Sequence, residues 1–408
     1  MPSLKRRVEL VALAALRACG AFHVARRLTG RGLRILCYHG FSVADEHRFR
    51  PGMWIRGDSF ARRLAYLRRA GHPVLPLDEA LERLAHGTLP PAAVAITIDD
   101  GFAGTHSVAV PVLHAYHAPS TLYLTTYYVV QQDPVFDLAV GYLLFRTAVD
   151  TLDPRPLGVP ELATPLAWKR LSAAAREATV AAIVRHGHEQ LGREARARLL
   201  ERLAELTAVP LAPVLESRMF HLLNEDEVRA VHAAGVAIEL HTHRHATPVT
   251  AACASAELAE NRRHIVRLTG REPRHFCYPS GRYGEWDPDW LSAADVRSAT
   301  TTVPGFDYAT TPWWQLSRFN DGESVPQLMF EAEMSGMLEL IRRLRARLRG
   351  ERRARDIVAP SPTRVPVATP ARPRVEDRPV RIPNYAAADA VPGAAHGQPS
   401  KSDRRPVA

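Results

Sequence analysis

Cysteine is scarce in this 408-residue chain, and its four copies do not pair. Cys19, Cys37, Cys253 and Cys277 stand far apart with no Cys-x-x-Cys motif, which excludes a sequence-evident disulfide framework and fits a reducing compartment. Cys37 and Cys277 fall inside apolar, strand-like runs and read as buried small hydrophobes. Long apolar runs are missing as well. The best one, Val8 to Phe22, follows a basic start but is interrupted by Glu9 and Arg17, and no convincing cleavage site follows it. It is too short and too charged to span a bilayer and does not read as a signal peptide. The expected location is therefore cytoplasmic, with the inner membrane face as a peripheral alternative.

Excess positive charge is absent from the body of the chain. Of the formal +10, residues 1–31 carry +6 and residues 337–408 carry +9, which leaves −5 between them. A nucleic-acid-binding body is not expected, and any affinity for polyanions belongs to the ends. With 46% apolar residues the chain is globular overall, long enough for one large domain plus appendages or two ordinary domains.

What is present begins with Val94-Ala95-Ile96-Thr97-Ile98, which runs directly into Asp99-Asp100-Gly101-Phe102. The run reads as a buried strand that delivers two adjacent carboxylates to a loop. Adjacent carboxylates repel, so a divalent cation between them is one solution; an ordinary Asp-Asp-Gly turn is the other. Around this strand the pattern alternates. Leu33 to Gly40 is a strand ending at His39, Ser59 to Ala70 a helix, Pro73-Val74-Leu75 a short strand, and Leu77 to Ala85 a second helix. Gly104 to Tyr116 is helical with a kink at Pro111, and Ser120 to Thr125 is again a strand. Such alternation implies parallel β/α units, on which chemistry gathers at the carboxyl ends of the strands.

The alternation lapses between Tyr128 and Met219, where Ala167 to Leu206 reads as long helix. This helical insertion, about 132–220, either shapes a substrate cleft, closes it as a lid, or is structural. The pattern resumes with a helix capped by Asn224 and Glu227 and ending at Gly235, and with a strand Val236 to Leu240. That strand leads into His241-Thr242-His243-Arg244-His245. A helix over Ala254 to Thr269, a strand and turn at His275 to Gly281, and strands at Ala299 to Val303 and Gln315 to Phe319 complete the body. His241 and His245, four apart on a strand exit, suit a shared cation, while His243 points elsewhere. With one carboxylate from Asp99-Asp100 they make a three-ligand set with an open position.

These motifs resemble those of the polysaccharide deacetylases with a NodB-type homology domain. Thr97-Ile98-Asp99-Asp100-Gly101 resembles that family's first motif, His241-Thr242-x-x-His245 its second, and Phe276-Cys277-Tyr278-Pro279-Ser280-Gly281 its third. The resemblance covers about residues 33–325 and implies an α/β fold, a distorted (β/α)7 barrel of the TIM-like kind. It implies metal-dependent hydrolysis of N-acetyl groups on an amino sugar, with Asp100, His241 and His245 as metal ligands and Asp99 as general base. Zn²⁺ is the first expectation, with Co²⁺ or Ni²⁺ as alternatives. The oxyanion would lean on the metal and on a backbone N–H near Tyr278, while Pro279, Gly281 and Arg282 present that rim to the sugar.

Two departures stand out. The arginine that pairs with the base in the family's third motif is replaced by Cys277, so orientation of Asp99 either falls to Arg282 or Arg318 or is looser. The late histidine that protonates the leaving amine has no counterpart, since only His396 follows His275. His39 is the preferred substitute, ahead of His243. The expected partners are an acetylated glycan or sugar–lipid, and no nucleic acid. O-deacetylation, or a catalytically weak carbohydrate-binding role on the same barrel, are the competing functions.

The expected organisation is a basic amphipathic helix over 1–31, a deacetylase domain over 32–336, a basic amphipathic helix over 337–349 and a disordered tail over 350–408. Ten of the 32 prolines lie in that tail. Both end helices are expected to pack on the protein, with contact to an anionic membrane surface as the alternative.

Overall fold

The computed structural model describes residues 4–286 and 288–348. The expected tail, His396 included, lies outside the described residues. Seven strands form one parallel sheet that curls into an incomplete barrel, bearing out the expected architecture. In chain order the strands are β1 (Arg34–Tyr38), β2 (Gly40–Phe41), β3 (Trp54–Ile55), β4 (Val94–Asp100), β5 (Ser120–Leu124), β6 (Ala237–Leu240), β7 (His275–Cys277), β8 (Ser298–Thr300) and β9 (Phe319–Asn320). The sheet runs β8-β7-β6-β5-β4-β1-β9, and β2 with β3 forms a small separate ribbon. Because every pairing in the large sheet is parallel, all its carboxyl ends lie on one rim.

β4 lies inside the sheet between β5 and β1 and is buried along its whole length, which is why it reads as a continuous apolar run before its two carboxylates. Its register sets Ile98 opposite Tyr38 of β1, and Asp99 and Asp100 opposite Tyr123 and Leu124 of β5. The main core packs Leu36, Ile96, Ile98, Leu122, Leu240 and Phe276 against the surrounding helices.

Local sequence explains most elements and a few departures. The helix Leu77–Ala85 has the expected bounds. The helix Glu225–Ala233 starts from the Asn224–Glu227 capping box, with each partner's side chain bonded to the other's backbone N–H. The kink expected at Pro111 takes the form of a π-helical turn over Thr105–Ala109 that feeds the helix Val110–Tyr116; Pro111 lacks the N–H that a continuous α-helix would use there. The strand expected at 73–75 reduces to a bridge between Val74 and Val94, and the expected strand at 315–319 to a bridge at Leu316 followed by β9.

Two expected long helices are each broken. The amino-terminal one divides into Leu4–Ala18 and Ala21–Leu28, bent by 82° at Gly20, whose φ of 80° no helix tolerates. The insertion's long helix divides into Ala173–Gln190 and Arg193–Thr207 at Leu191-Gly192. The insertion has its own core of Leu138, Leu143, Ile183, Leu199, Leu203 and Phe220. That core also takes in Trp54 and Phe102, so the lobe is packed on the residue that follows the Asp99-Asp100-Gly101 turn.

The end helices pack on the body through Leu13, Phe22, Ala25, Ala332 and Met337. Among the described residues no single helix is long and apolar enough to cross a membrane; the bent pair Leu4–Ala18 and Ala21–Leu28 passes only when taken together.

Candidate active site

The strand exits bring His39, Asp99, Asp100, His241 and His245 to one rim, as the sequence suggested. Asp100, at the end of β4, takes a left-handed φ of 68°, and Gly101 follows at 93°. This double reversal turns two consecutive side chains, which a strand would send to opposite faces, into one pocket. The backbone beyond the turn is pinned by the segment on which the insertion returns to the body: Leu223 N–H donates to the Gly101 carbonyl at 2.8 Å, and Ala103 N–H to the His221 carbonyl at 2.9 Å. The insertion reaches the site's scaffold through this returning segment and through its core packing on Phe102.

Asp100 Oδ1 lies 3.2 Å from His241 Nε2 and 3.3 Å from His245 Nε2, and all three side chains are buried. Candidate ligand atoms on the three residues lie within 4.8 Å of one another. His241 is oriented from behind: its Nδ1 is 2.8 Å from the Cys277 carbonyl, and its backbone N–H donates to Asn261 Oδ1 at 2.9 Å. His245 reaches the same point because Thr242 and His245 both adopt left-handed φ values, 62° and 55°.

Burial works against charge on both rings. On His241 the neighbouring Cys277 and Asp100 outweigh it and lift the pKa well above the usual imidazole range, whereas on His245 burial prevails and takes it down to about 4. Asp100 Oδ2 is buried without a hydrogen-bond partner among the described residues. An orphaned carboxylate oxygen beside two imidazoles is a donor set that a divalent cation satisfies.

Asp99 is held differently. Arg318, fully buried, donates Nη1–H to Oδ1 at 2.6 Å and Nη2–H to Oδ2 at 2.7 Å. Arg318 is itself fixed by Thr301 O at 2.8 Å and Thr97 Oγ1 at 3.1 Å. Burial alone would raise the Asp99 pKa, but the Arg318 charge and its two hydrogen bonds overcome it, and the carboxyl stays well below the usual carboxylate range. Of the two arginines considered for this task, Arg318 performs it. Arg282 lies on the exposed side of the turn after β7.

Cys37 and Cys277 do more than fill the core: their Sγ atoms sit 3.5 and 3.4 Å from Asp99 Oδ2. Burial pushes the Cys37 thiol well up, so it is present as S–H. His39 Nε2 is 3.7 Å from Asp99 Oδ2 with its side chain 19% exposed, so it stands between the buried base and open space. His243 faces away, its Nδ1 2.9 Å from Thr126 Oγ1 and its Nε2 3.6 Å from Glu260. Tyr278 donates its hydroxyl to Trp314 O and its backbone N–H to Thr300 O, so its own amide is committed and is not an oxyanion donor. Pro279 and Gly281 form the tight turn beside it, Ser280 having a φ of 54°.

The sequence reading missed Asn261. Its side chain accepts from His241 N–H and donates to Leu124 O and Thr126 Oγ1, joining three elements of the rim. Its only sequence signal is one uncharged amide within the charged helical stretch Glu260-Asn261-Arg262-Arg263, and its burial shows only in the fold.

With this geometry in place, comparison with known proteins is direct. The family model described as polysaccharide deacetylase matches residues 86–296. The chain belongs to the polysaccharide deacetylase family. It is thus a carbohydrate deacetylase, a hydrolase. Solved structures with a similar fold include the Streptococcus pyogenes deacetylase PplD in complex with acetate. It has 15% identity over 75% of this chain and 96% of that one, with a TM-score of 0.47. IcaB from Ammonifex degensii gives 15%, 74%, 97% and 0.45, and a de-N-acetylase from Aggregatibacter actinomycetemcomitans 14%, 74%, 99% and 0.44. No curated protein matches the chain.

Proposed function

We propose that the enzyme is a metal-dependent N-deacetylase acting on an acetylated amino sugar within a polysaccharide or glycan precursor. The observation that carries this reading is the division of labour between adjacent carboxylates. Asp100 faces two imidazoles with one oxygen orphaned, while Asp99 is locked to Arg318.

Asp100, His241 and His245 would hold a divalent ion, with Zn²⁺ favoured by two nitrogens and one carboxylate and Co²⁺ or Ni²⁺ compatible. When bound, the ion supplies Lewis acidity toward the acetyl carbonyl and the attacking water. Asp99, kept ionised by Arg318, accepts the proton that water loses as its oxygen bonds to the carbonyl carbon. The C–N bond then breaks, and the departing amine takes a proton from His39, which lies between Asp99 and the open side of the site. Acetate and the free amino sugar are the products. Pro279, Gly281 and Arg282 would shape the rim where the sugar rests, and the buried Tyr278 ring backs that turn, its hydroxyl fixed by Trp314 O and its ring packed against Phe276 and Trp286.

The test is acetate release from N-acetylated oligosaccharides with Zn²⁺, Co²⁺ or Ni²⁺ present. Asp99→Asn should abolish release while retaining the wild-type metal content. A purified enzyme that binds no divalent ion would overturn the reading.

A second component concerns the end helices. Their outer sides expose Leu4, Val8 and Val11, Val24 and Leu28, and Leu344 and Leu348, flanked by arginines. We read this as a peripheral contact with an anionic membrane surface.

A further inference from the structure

A second group of metal-competent side chains lies behind the rim, outside the machinery described above. His243 belongs to the same loop as His241 and His245 but is turned toward the helix Ala251–Thr269, from which Glu260 and His264 project one turn apart. We propose that His243, Glu260 and His264 form a second divalent-cation site that clamps the histidine loop to this helix.

Candidate ligand atoms on the three residues lie within 4.8 Å of one another, with His243 Nε2 3.6 Å from Glu260 Oε1. His243 is oriented as a ligand would be. Its Nδ1 is engaged at 2.9 Å by Thr126 Oγ1, which is itself held by Asn261, leaving Nε2 to face the carboxylate. The His264 ring stacks on that of His243 at 5.2 Å, and its Nδ1 is buried without a hydrogen-bond partner among the described residues. An imidazole with an orphaned nitrogen beside a histidine–glutamate pair is the second signal of a cation site.

Two arginines also approach Glu260. Arg244 reaches Oε2 at 3.1 Å, but both its Nη1 and its backbone N–H are already taken by Glu257 at 2.8 Å. Arg263 reaches Oε1 at 3.4 Å from a side chain 70% exposed, a weak and solvated contact. Two histidines and a glutamate suit Zn²⁺, with water completing the shell. Because the site shares its loop with His241 and His245, its ion would stiffen the element that presents them.

The experiment is metal counting on the full chain, stripped with a chelator and re-equilibrated with Zn²⁺. About two ions per chain are expected for the wild type, and about one for Glu260→Gln, for His264→Gln and, from the other site, for Asp100→Asn. In the Asp100→Asn background, Zn²⁺ should still raise Tm, and adding His264→Gln should remove that rise. A wild type that holds one ion, or a His264→Gln protein that holds as many as the wild type, overturns the proposal. Retention of the circular dichroism spectrum separates ion loss from misfolding, since His264 and Glu260 are only half-buried.

Discussion

Arg318 is the residue on which the candidate base depends. A carboxylate enclosed by Cys37, Cys277, Tyr123 and the sheet would lose its charge without a buried cation, and Arg318 provides one in two parallel hydrogen bonds. Removing one partner of such a pair costs about 3–5 kcal/mol, because the other is left uncompensated. Arg318→Met is therefore expected to lower unfolding free energy by about that amount in urea titrations. Asp99→Asn combined with Arg318→Met should lose less than the sum of the single changes. Equal stability of Arg318→Met and the wild type would show that Asp99 is held by something else. The sequence named Arg318 but could not choose it over Arg282. The choice depends on β9 pairing with β1 in register Leu36–Phe319, and a two-residue strand leaves almost no periodic signal. Cys277 explains the exchange physically. The small side chain at the third-motif position leaves room for the Arg318 guanidinium, which lies 3.0 Å from Cys277 Sγ and arrives from the segment leading into β9.

At the scale of elements, the turn after β4 does the most for the site. Gly101 has a φ of 93°, and a Cβ there would meet Leu124 Cδ1 at 2.5 Å. Gly101→Ala is expected to cost about 1–3 kcal/mol from backbone strain and to displace Asp100 along with it. Metal affinity should then fall together with stability; an alanine variant that keeps wild-type metal binding would show that the turn is not what aims Asp100. The strand before this turn and the histidine loop were both legible in the sequence, because buried parallel strands read as apolar runs and their exits carry the polar residues. The breaks in the long helices were not. Apolar spacing continues across Gly20 and Gly192, and only the backbone reveals the corners, left-handed at Gly20 and extended at Leu191 and Gly192. The link from the end of the insertion to the site was hidden for a different reason: on the returning segment, Leu223 to Gly101 and Ala103 to His221 are backbone bonds, to which side-chain identity contributes nothing.

For the whole molecule, the sign of charge and the place of exposed apolar surface coincide. The residues between the ends sum to −5, whereas residues 1–31 sum to +6 and their helices hold Leu4 at 78% and Val11 at 70% exposure. Each end helix buries one side in the small cluster around Leu13, Phe22 and Met337, so the packing expected from the sequence and an outward apolar side occur together. An aliphatic side chain left in water forgoes about 1.5–3 kcal/mol relative to burial, and basic residues near an anionic surface add about 1 kcal/mol each. The enzyme is therefore expected to float with vesicles containing phosphatidylglycerol and to remain in solution with phosphatidylcholine alone. Raising the salt concentration should weaken the association, since the arginines are exposed. Val8→Asp with Leu344→Asp should abolish flotation while leaving acetate release from a soluble oligosaccharide unchanged, because neither side chain belongs to the rim. Failure of the unaltered enzyme to float with the anionic vesicles would remove the membrane from its list of partners and leave the end helices as packing elements alone.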